Sequence, residues 1–295
     1  MRRVLFSLGP VTVYSFGFMM ALGMLAAILI MYHEAKHRGI DQEKIIDFSL
    51  WALILGIIGA RIGFVLFADP LSYLHAPWQF FQIQDGGLSI HGAIIGGLLA
   101  GLLFCWRYRI PFWRLADVAA LGLALGIAIG RVGCDIFGRP MSNAWPWGVL
   151  VNGQLLHPAQ VYEFLLDYLL FLFLWRQRKK NTYDGQLFLQ FIVLYAAIRG
   201  AVEFARYNNP PILGPFTVAH VTSLIFIIVA VLAGVLLKRH SPSSSGADQA
   251  IAFTETNKVL ALVENSLLWQ SILAGILMAL SLLVFYGFRP MGTMH

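Results

Sequence analysis

The residues with the most chemical promise are charged side chains set inside apolar runs. They are Arg61, Arg131, Arg199 and Arg206, with Asp135, Glu163 and Glu203. A charge held at membrane depth costs about 2.5–3.5 kcal/mol on insertion scales, so each one is a functional hypothesis by default. Arg61 lies about six residues, roughly 9 Å at 1.5 Å per residue, from the end of its run. His91 opens the next run, Arg131 and Asp135 close the fourth, and Glu163 lies just inside the fifth. Arg199, Glu203 and Arg206 follow along the sixth, and His220 opens the seventh. By this order nearly all of them face one leaflet, with Asp117 the exception at the opposite side. Unrelated snorkelling residues would scatter between leaflets, whereas membrane charges usually line one cavity. Arg199 and Glu203, spaced i, i+4, can also simply pair with each other. Arginine outnumbers carboxylate in the set, and planar guanidinium groups grip phosphate bidentately. The chemistry expected is recognition of an anionic phospholipid presented from the outer leaflet.

The composition demands such a setting. Of 295 residues, 58% are hydrophobic and 12% charged, with a mean hydropathy of +0.71; soluble domains carry about 25% charge. Apolar runs near 20 residues predict eight helical spans at 13–32, 45–67, 91–106, 115–134, 159–175, 186–206, 216–237 and 267–286. Met1-Arg2-Arg3 resembles the basic start of a signal peptide, but the run behind it is too long and lacks a small-residue cleavage site, so it reads as the first span. The fold class expected is all-α, a polytopic transmembrane helix bundle.

Basic residues set its orientation. Loops after spans one, three, five and seven hold Lys36, Arg38, Lys44, Arg107, Arg109, Arg114, Arg176, Arg178, Lys179, Lys180, Lys238, Arg239 and Lys258. The other side holds Arg2, Arg3, Arg139, Arg206 and Arg289, and loop 68–90 holds no Lys or Arg. That distribution puts both termini outside. The net charge of +6 is then a topology signal, and nucleic acid is not an expected partner.

Other features are secondary. Cys105 and Cys134 fall at opposite ends of their spans and cannot pair with each other. Gly92, Gly96, Gly97 and Gly101, and separately Gly122, Gly126 and Gly130, form small-residue ridges suited to close helix packing. Ser241-Pro242-Ser243-Ser244-Ser245-Gly246 reads as a flexible cytoplasmic linker before a separate last helix. His33-Glu34-Ala35-Lys36-His37 matches the HExxH zinc pattern, but it lacks a third ligand and runs into Arg38-Gly39, so no metal is expected.

Four stretches in order resemble the prolipoprotein diacylglyceryl transferase family. They are Asp85-Gly86-Gly87-Leu88-Ser89-Ile90-His91-Gly92, Gly130-Arg131-Val132-Gly133-Cys134, His157-Pro158-Ala159-Gln160-Val161-Tyr162-Glu163, and Tyr195-x-x-x-Arg199-x-x-x-Glu203-x-x-Arg206. Tyr14-Ser15-Phe16-Gly17 and Gly59-Ala60-Arg61-Ile62-Gly63 are similar too. The sequence departs from the family pattern where Cys134-Asp135-Ile136-Phe137 leads straight into Gly138-Arg139-Pro140, with Asp135 the expected substitute for missing polar contacts. Ala93 stands where a second Gly follows His-Gly, and Ala219-His220 where Gly-Gln is usual. The resemblance implies a bundle of seven family-type spans over 1–239. A linker at 240–266 and an eighth span with tail at 267–295 would be additions.

The resemblance also implies an activity: transfer of diacylglyceryl from phosphatidylglycerol to the lipobox cysteine of a prolipoprotein signal peptide, at the outer face of a bacterial plasma (inner) membrane. No cofactor is called for. Arg131 and Arg199 would hold the departing phosphate, and His91 would accept the thiol proton or orient the headgroup. Arg61, Arg206, Tyr14, Tyr162, Tyr195, Gly92 and Gly138 would contact the lipid. Glu163, Glu203, Asp135, Cys134 and Gln160 would support them. Two alternatives stay open: a transporter of an anionic lipid or solute using the same arginines, and a homologue that binds lipid or precursor without catalysis.

Overall fold

The computed structural model describes residues 4–9, 11–68, 70, 73, 77–82, 86–207, 211–240 and 266–287. Asp85, the linker 241–265 with Lys258, and the terminal residues Arg2, Arg3 and Arg289 lie outside them. Among the described residues eight α-helices form: α1 Ser15–His37, α2 Gln42–Ala68, α3 Ile90–Tyr108, α4 Phe112–Val132, α5 Ala159–Gln177, α6 Gln186–Glu203, α7 Val218–His240 and α8 Leu267–Gly287. Each corresponds to one of the eight apolar runs, shifted at its ends by a few residues, and the fold is an all-α polytopic membrane bundle. All but α5 are long and apolar enough to cross a membrane on composition alone. α5 falls short because Glu163, Asp167 and Arg176 interrupt it. Large apolar side chains such as Leu25, Leu29, Leu224 and Leu236 are more than half exposed, which water would penalise and a bilayer requires.

Three two-stranded hairpins accompany the helices. β1 Val4–Leu8 pairs β2 Val11–Tyr14 just before α1. β3 Val149–Val151 pairs β4 Gln154–Leu156 between α4 and α5, and β5 Pro211–Leu213 pairs β6 Phe216–Thr217 between α6 and α7. Their strands are too short for a period-2 pattern to stand out. Only Asn152-Gly153, both at positive φ, carries a recognisable hairpin-turn signature.

The chain divides into two compact units, Met1–Ile30 with Ala119–His295, and Met31–Val118. In the larger unit Phe164 and Tyr168 of α5 pack with Met19 of α1, Leu125, Ile129 and Val132 of α4, and Phe285 of α8. A second cluster joins Leu121 and Ala124 of α4, Leu170 and Leu174 of α5, and Leu187 and Phe191 of α6. The ridge glycines fit this packing. A Cβ on Gly126 would meet the Gly23 carbonyl of α1, and one on Gly133 the Ser15 carbonyl. In the smaller unit α2 and α3 approach backbone to backbone, since a Cβ on Gly92 would collide with the Gly59 carbonyl and one on Gly96 with the Leu55 carbonyl. Gly97, by contrast, faces open space.

Candidate active site

Ends of helices build the site of the larger unit. α4 finishes with Arg131, α5 starts with Glu163 in its first turns, and α6 carries Arg199 and Glu203 one turn apart. Arg131 Nη2 lies 2.8 Å from Glu163 Oε1, a charge contact without the alignment of a hydrogen bond. Arg199 Nη1 donates to Glu203 Oε2 at 2.6 Å. Arg206 Nε stands 3.8 Å from the same oxygen. Arg206 lies beyond the end of α6, where the sixth run was expected to continue; its backbone instead bridges to Gly138. It nevertheless senses Glu163, Arg131 and Arg199 electrostatically, so the three arginines and two glutamates form one cluster. The acids are buried, both side chains 1% exposed, whereas Arg131, Arg199 and Arg206 are 21, 22 and 18% exposed. The arginines are thus partly exposed and the acids that pair with them buried.

Several side chains hold this arrangement. Thr217 Oγ1 donates to Glu203 Oε1 at 2.9 Å, while the Thr217 amide donates to His220 Nδ1 at 3.1 Å, which ties the start of α7 to α6. Tyr195 lies one turn before Arg199 on α6 and interacts electrostatically with Arg131. Tyr162 accepts from Trp147 Nε1 at 3.0 Å and meets His157 Nδ1 at 3.0 Å, so its hydroxyl is fixed by loop residues. Gln160 is fully buried on α5. Cys134 is buried, with its Sγ 3.7 Å from the Gly130 carbonyl. Asp135 is exposed past the end of α4, and Tyr14 is exposed at the junction of β2 and α1. Gly138 donates its amide to the His157 carbonyl at 2.6 Å, and a Cβ there would strike the Ala205 carbonyl. Its place in the fold is a backbone crossing of three loops.

The smaller unit holds the remaining expected residues. Ser89 caps α3, accepting from the Gly92 amide at 3.4 Å, and thereby sets His91 in the exposed first turn. Gly92 is buried where α3 meets α2. Arg61 is only 3% exposed, and its donors go to main-chain carbonyls. Nε bonds Phe80 at 2.9 Å, Nη1 bonds Gly86 and Gly87, and Nη2 bonds Gln79 and Gln82. Gly86 and Gly87 both sit at positive φ, and a Cβ on Gly87 would run into the Arg61 guanidinium. Here glycine is required by backbone shape and by the close approach of Arg61 together.

Some site residues went unread in the sequence. Asp167 is fully buried one turn along α5 from Glu163, and neither of its oxygens has a hydrogen-bond partner among the described residues. Its i, i+4 spacing from Glu163 was the available signal. Thr217 and Trp147 had none, because the site side chains they bond, Glu203 and Tyr162, lie 14 and 15 residues away.

A family model described as prolipoprotein diacylglyceryl transferase matches residues 3–236. Three relatives bear the name phosphatidylglycerol--prolipoprotein diacylglyceryl transferase. That of Clostridioides difficile is 37% identical over 83% of this chain and 98% of its own length. That of Aliarcobacter butzleri is 37% identical over 77% of this chain and 90% of its own length. That of Nostoc sp. is 36% identical over 78% of this chain and 87% of its own length. The match runs through every helix that carries the arginine cluster, and the chain belongs to the prolipoprotein diacylglyceryl transferase family.

Proposed function

We propose that this chain transfers the diacylglyceryl group of phosphatidylglycerol to the lipobox cysteine of a prolipoprotein. The observation that carries this reading is the cluster of three partly exposed arginines over two buried glutamates. The reaction breaks the bond between the glyceryl carbon and the phosphate oxygen and forms a thioether from the thiolate sulfur. Glycerol phosphate leaves with the electron pair. What such a site must supply is stabilisation of charge that grows on the phosphate, which preorganised guanidinium groups provide without reorganising. Arg131 and Arg199 take that role, with Arg206 at the rim and Tyr195 positioning Arg131. Glu163 and Glu203 hold the arginines together against their mutual repulsion.

His91, in the first turn of α3, is the group we assign to the thiol proton, since an imidazole has an ordinary pKa of about 6.5 and accepts a proton near neutrality. Arg61 acts on the segment leading to His91, by fixing the carbonyls of Gly86 and Gly87, and not on the phosphate. Cys134 stays outside the chemistry, because the acceptor peptide brings its own thiol. The site works from the outer leaflet of a bacterial plasma membrane, as the sorting of Lys and Arg between loops supports.

Purified protein, phosphatidylglycerol vesicles and a lipobox peptide provide the test. Expected is a peptide adduct heavier by the diacylglyceryl mass, with release of glycerol phosphate. Lipid movement across the vesicle without adduct would replace this reading with transport. Peptide binding without adduct would mean the chain has lost catalysis.

A further inference from the structure

The Thr217 hydroxyl has a single proton, and it goes to Glu203 Oε1 at 2.9 Å. The other oxygen of that carboxylate takes Arg199 Nη1 at 2.6 Å and stands 3.8 Å from Arg206 Nε. Buried Thr217 thus supports two of the three arginines from behind, and whatever orients it bears on both.

Thr217 is the residue before α7, and His220 is the third residue inside that helix. In a capping box the side chain at this third position reaches back to accept from the amide of the cap residue. His220 does so with a ring nitrogen: the Thr217 amide donates to Nδ1 at 3.1 Å. An amide can only donate, so Nδ1 is the nitrogen without a proton, and the ring proton sits on Nε2. Thr217 Oγ1 lies 3.2 Å from the same Nδ1. That lone pair is taken by the amide, and a carboxylate is the stronger acceptor, so the hydroxyl proton points to Glu203. The cap residue is held at its backbone by His220 while its side chain serves α6.

Two rings keep the imidazole in place. Phe204 lies with its centroid 4.4 Å away, and Phe216 makes an edge contact at 5.4 Å. Nε2 is buried and has no hydrogen-bond partner among the described residues. Leaving a buried donor unmade costs more than one neutral hydrogen bond returns. An apolar side chain would therefore serve stability better here. What the imidazole adds is an acceptor for Thr217.

We propose that His220 is a positioning residue of the arginine cluster: Nδ1 fixes Thr217, Thr217 fixes Glu203, and Glu203 sets Arg199 and Arg206 for the anion. The inference rests on the reading of that cluster as the phosphate site of the transfer reaction.

Variants of the full chain test it. His220→Gln keeps an acceptor oxygen, His220→Leu has none, and Thr217→Val removes the hydroxyl that transmits the effect. Transfer from phosphatidylglycerol to a lipobox peptide is measured per folded molecule, with the folded fraction read by thermal unfolding in detergent. His220→Leu is expected to lower kcat by about fivefold, the scale of one neutral hydrogen bond. KM for phosphatidylglycerol should stay within about twofold, because the arginines act on charge that grows in the transition state. His220→Gln should restore most of the loss. In the Thr217→Val background His220→Leu should add nothing, since both losses run through one path. Transfer that is equal in the Gln and Leu variants, or losses that add in the double variant, overturns the proposal and leaves the transfer reading standing. A second measurement is independent of transfer: affinity for glycerol phosphate by calorimetry, expected to weaken about fivefold in His220→Leu and little in His220→Gln. That order in a wild type that forms no peptide adduct ends the transfer reading and supports the positioning role. A wild type that neither transfers nor binds glycerol phosphate overturns both.

Discussion

Arginines of the two units are used in opposite ways. In the larger unit Arg131, Arg199 and Arg206 stand about a fifth exposed over Glu163 and Glu203. In the smaller unit Arg38 is enclosed, bonding Glu34 Oε1 at 3.3 Å and Asp117 Oδ2 at 3.2 Å, with the acids 2 and 0% exposed. Arg61 is enclosed as well, by a ring of carbonyls. A guanidinium has five N–H donors in a fixed fork. Where protein acceptors surround that fork, as at Arg61, the arginine braces its surroundings. Where carboxylates pair with a guanidinium that stays partly exposed, as at Arg131, Arg199 and Arg206, donor capacity is left for a ligand, which is the role proposed for them. The Glu34, Arg38 and Asp117 cluster also accounts for the HExxH stretch, because its glutamate is engaged with Arg38. His33 and His37 face each other at 3.4 Å between Nε2 atoms.

This contrast can be broken by mutation. Arg131→Ala and Arg199→Ala are expected to reduce diacylglyceryl transfer by about 100-fold or more, the scale of losing one preorganised donor to a developing anion. Membrane insertion should survive, stability should fall because Glu163 or Glu203 loses a charge partner, and near-normal turnover per folded molecule in either variant would end the phosphate-clamp assignment. Glu203→Gln comes next. It leaves Arg199 and Arg206 facing each other with one acceptor charge fewer, and a charge-assisted hydrogen bond of about 1.5–3 kcal/mol corresponds to a loss of tenfold or more in kcat/KM. Thr217→Val should move in the same direction by less.

The enclosed arginines should behave differently. Arg61→Ala removes the shared donor of five main-chain carbonyls and is expected to destabilise the protein by about 1–3 kcal/mol, read by thermal unfolding in detergent. The folded fraction should keep its KM for phosphatidylglycerol. A raised KM at unchanged stability would move Arg61 into the binding set. Asp117→Ala strands Arg38 in a buried site and should cost about 3–5 kcal/mol of stability with turnover per folded molecule retained. The smallest effect is expected for Cys134→Ser, which should keep substantial activity in the peptide assay; complete loss would show that the thiol takes part.

Much of this was legible in the order of residues. Gly130-Arg131, Tyr162-Glu163 and Arg199-x-x-x-Glu203 mark a candidate site because charges inside apolar runs are conspicuous, and the fold brings these charges into one cluster. Glu203 and Arg199 pair as their i, i+4 spacing requires. Arg61 was read as a lipid contact from the same depth argument, which cannot distinguish a guanidinium facing a ligand from one facing carbonyls 18 to 26 residues away. Asp167 lies on the same helix face as Glu163, and its burial beside that residue is a tertiary feature.

The sequence by itself determined the helices, since a bilayer needs about 20 apolar residues per span and each run of that length declares itself locally. It also determined which helix ends carry charge. The tertiary structure alone decided which of those charges are open. Exposure and hydrogen-bond saturation depend on the backbone of other segments, such as the carbonyls of 79–87 around Arg61 and Thr217 behind Glu203. For the same reason only the folded chain reveals that α8 is docked by Tyr168, Arg176 and Trp147. Hydropathy registers a helix's apolar length but is blind to the polar contacts that fix its face.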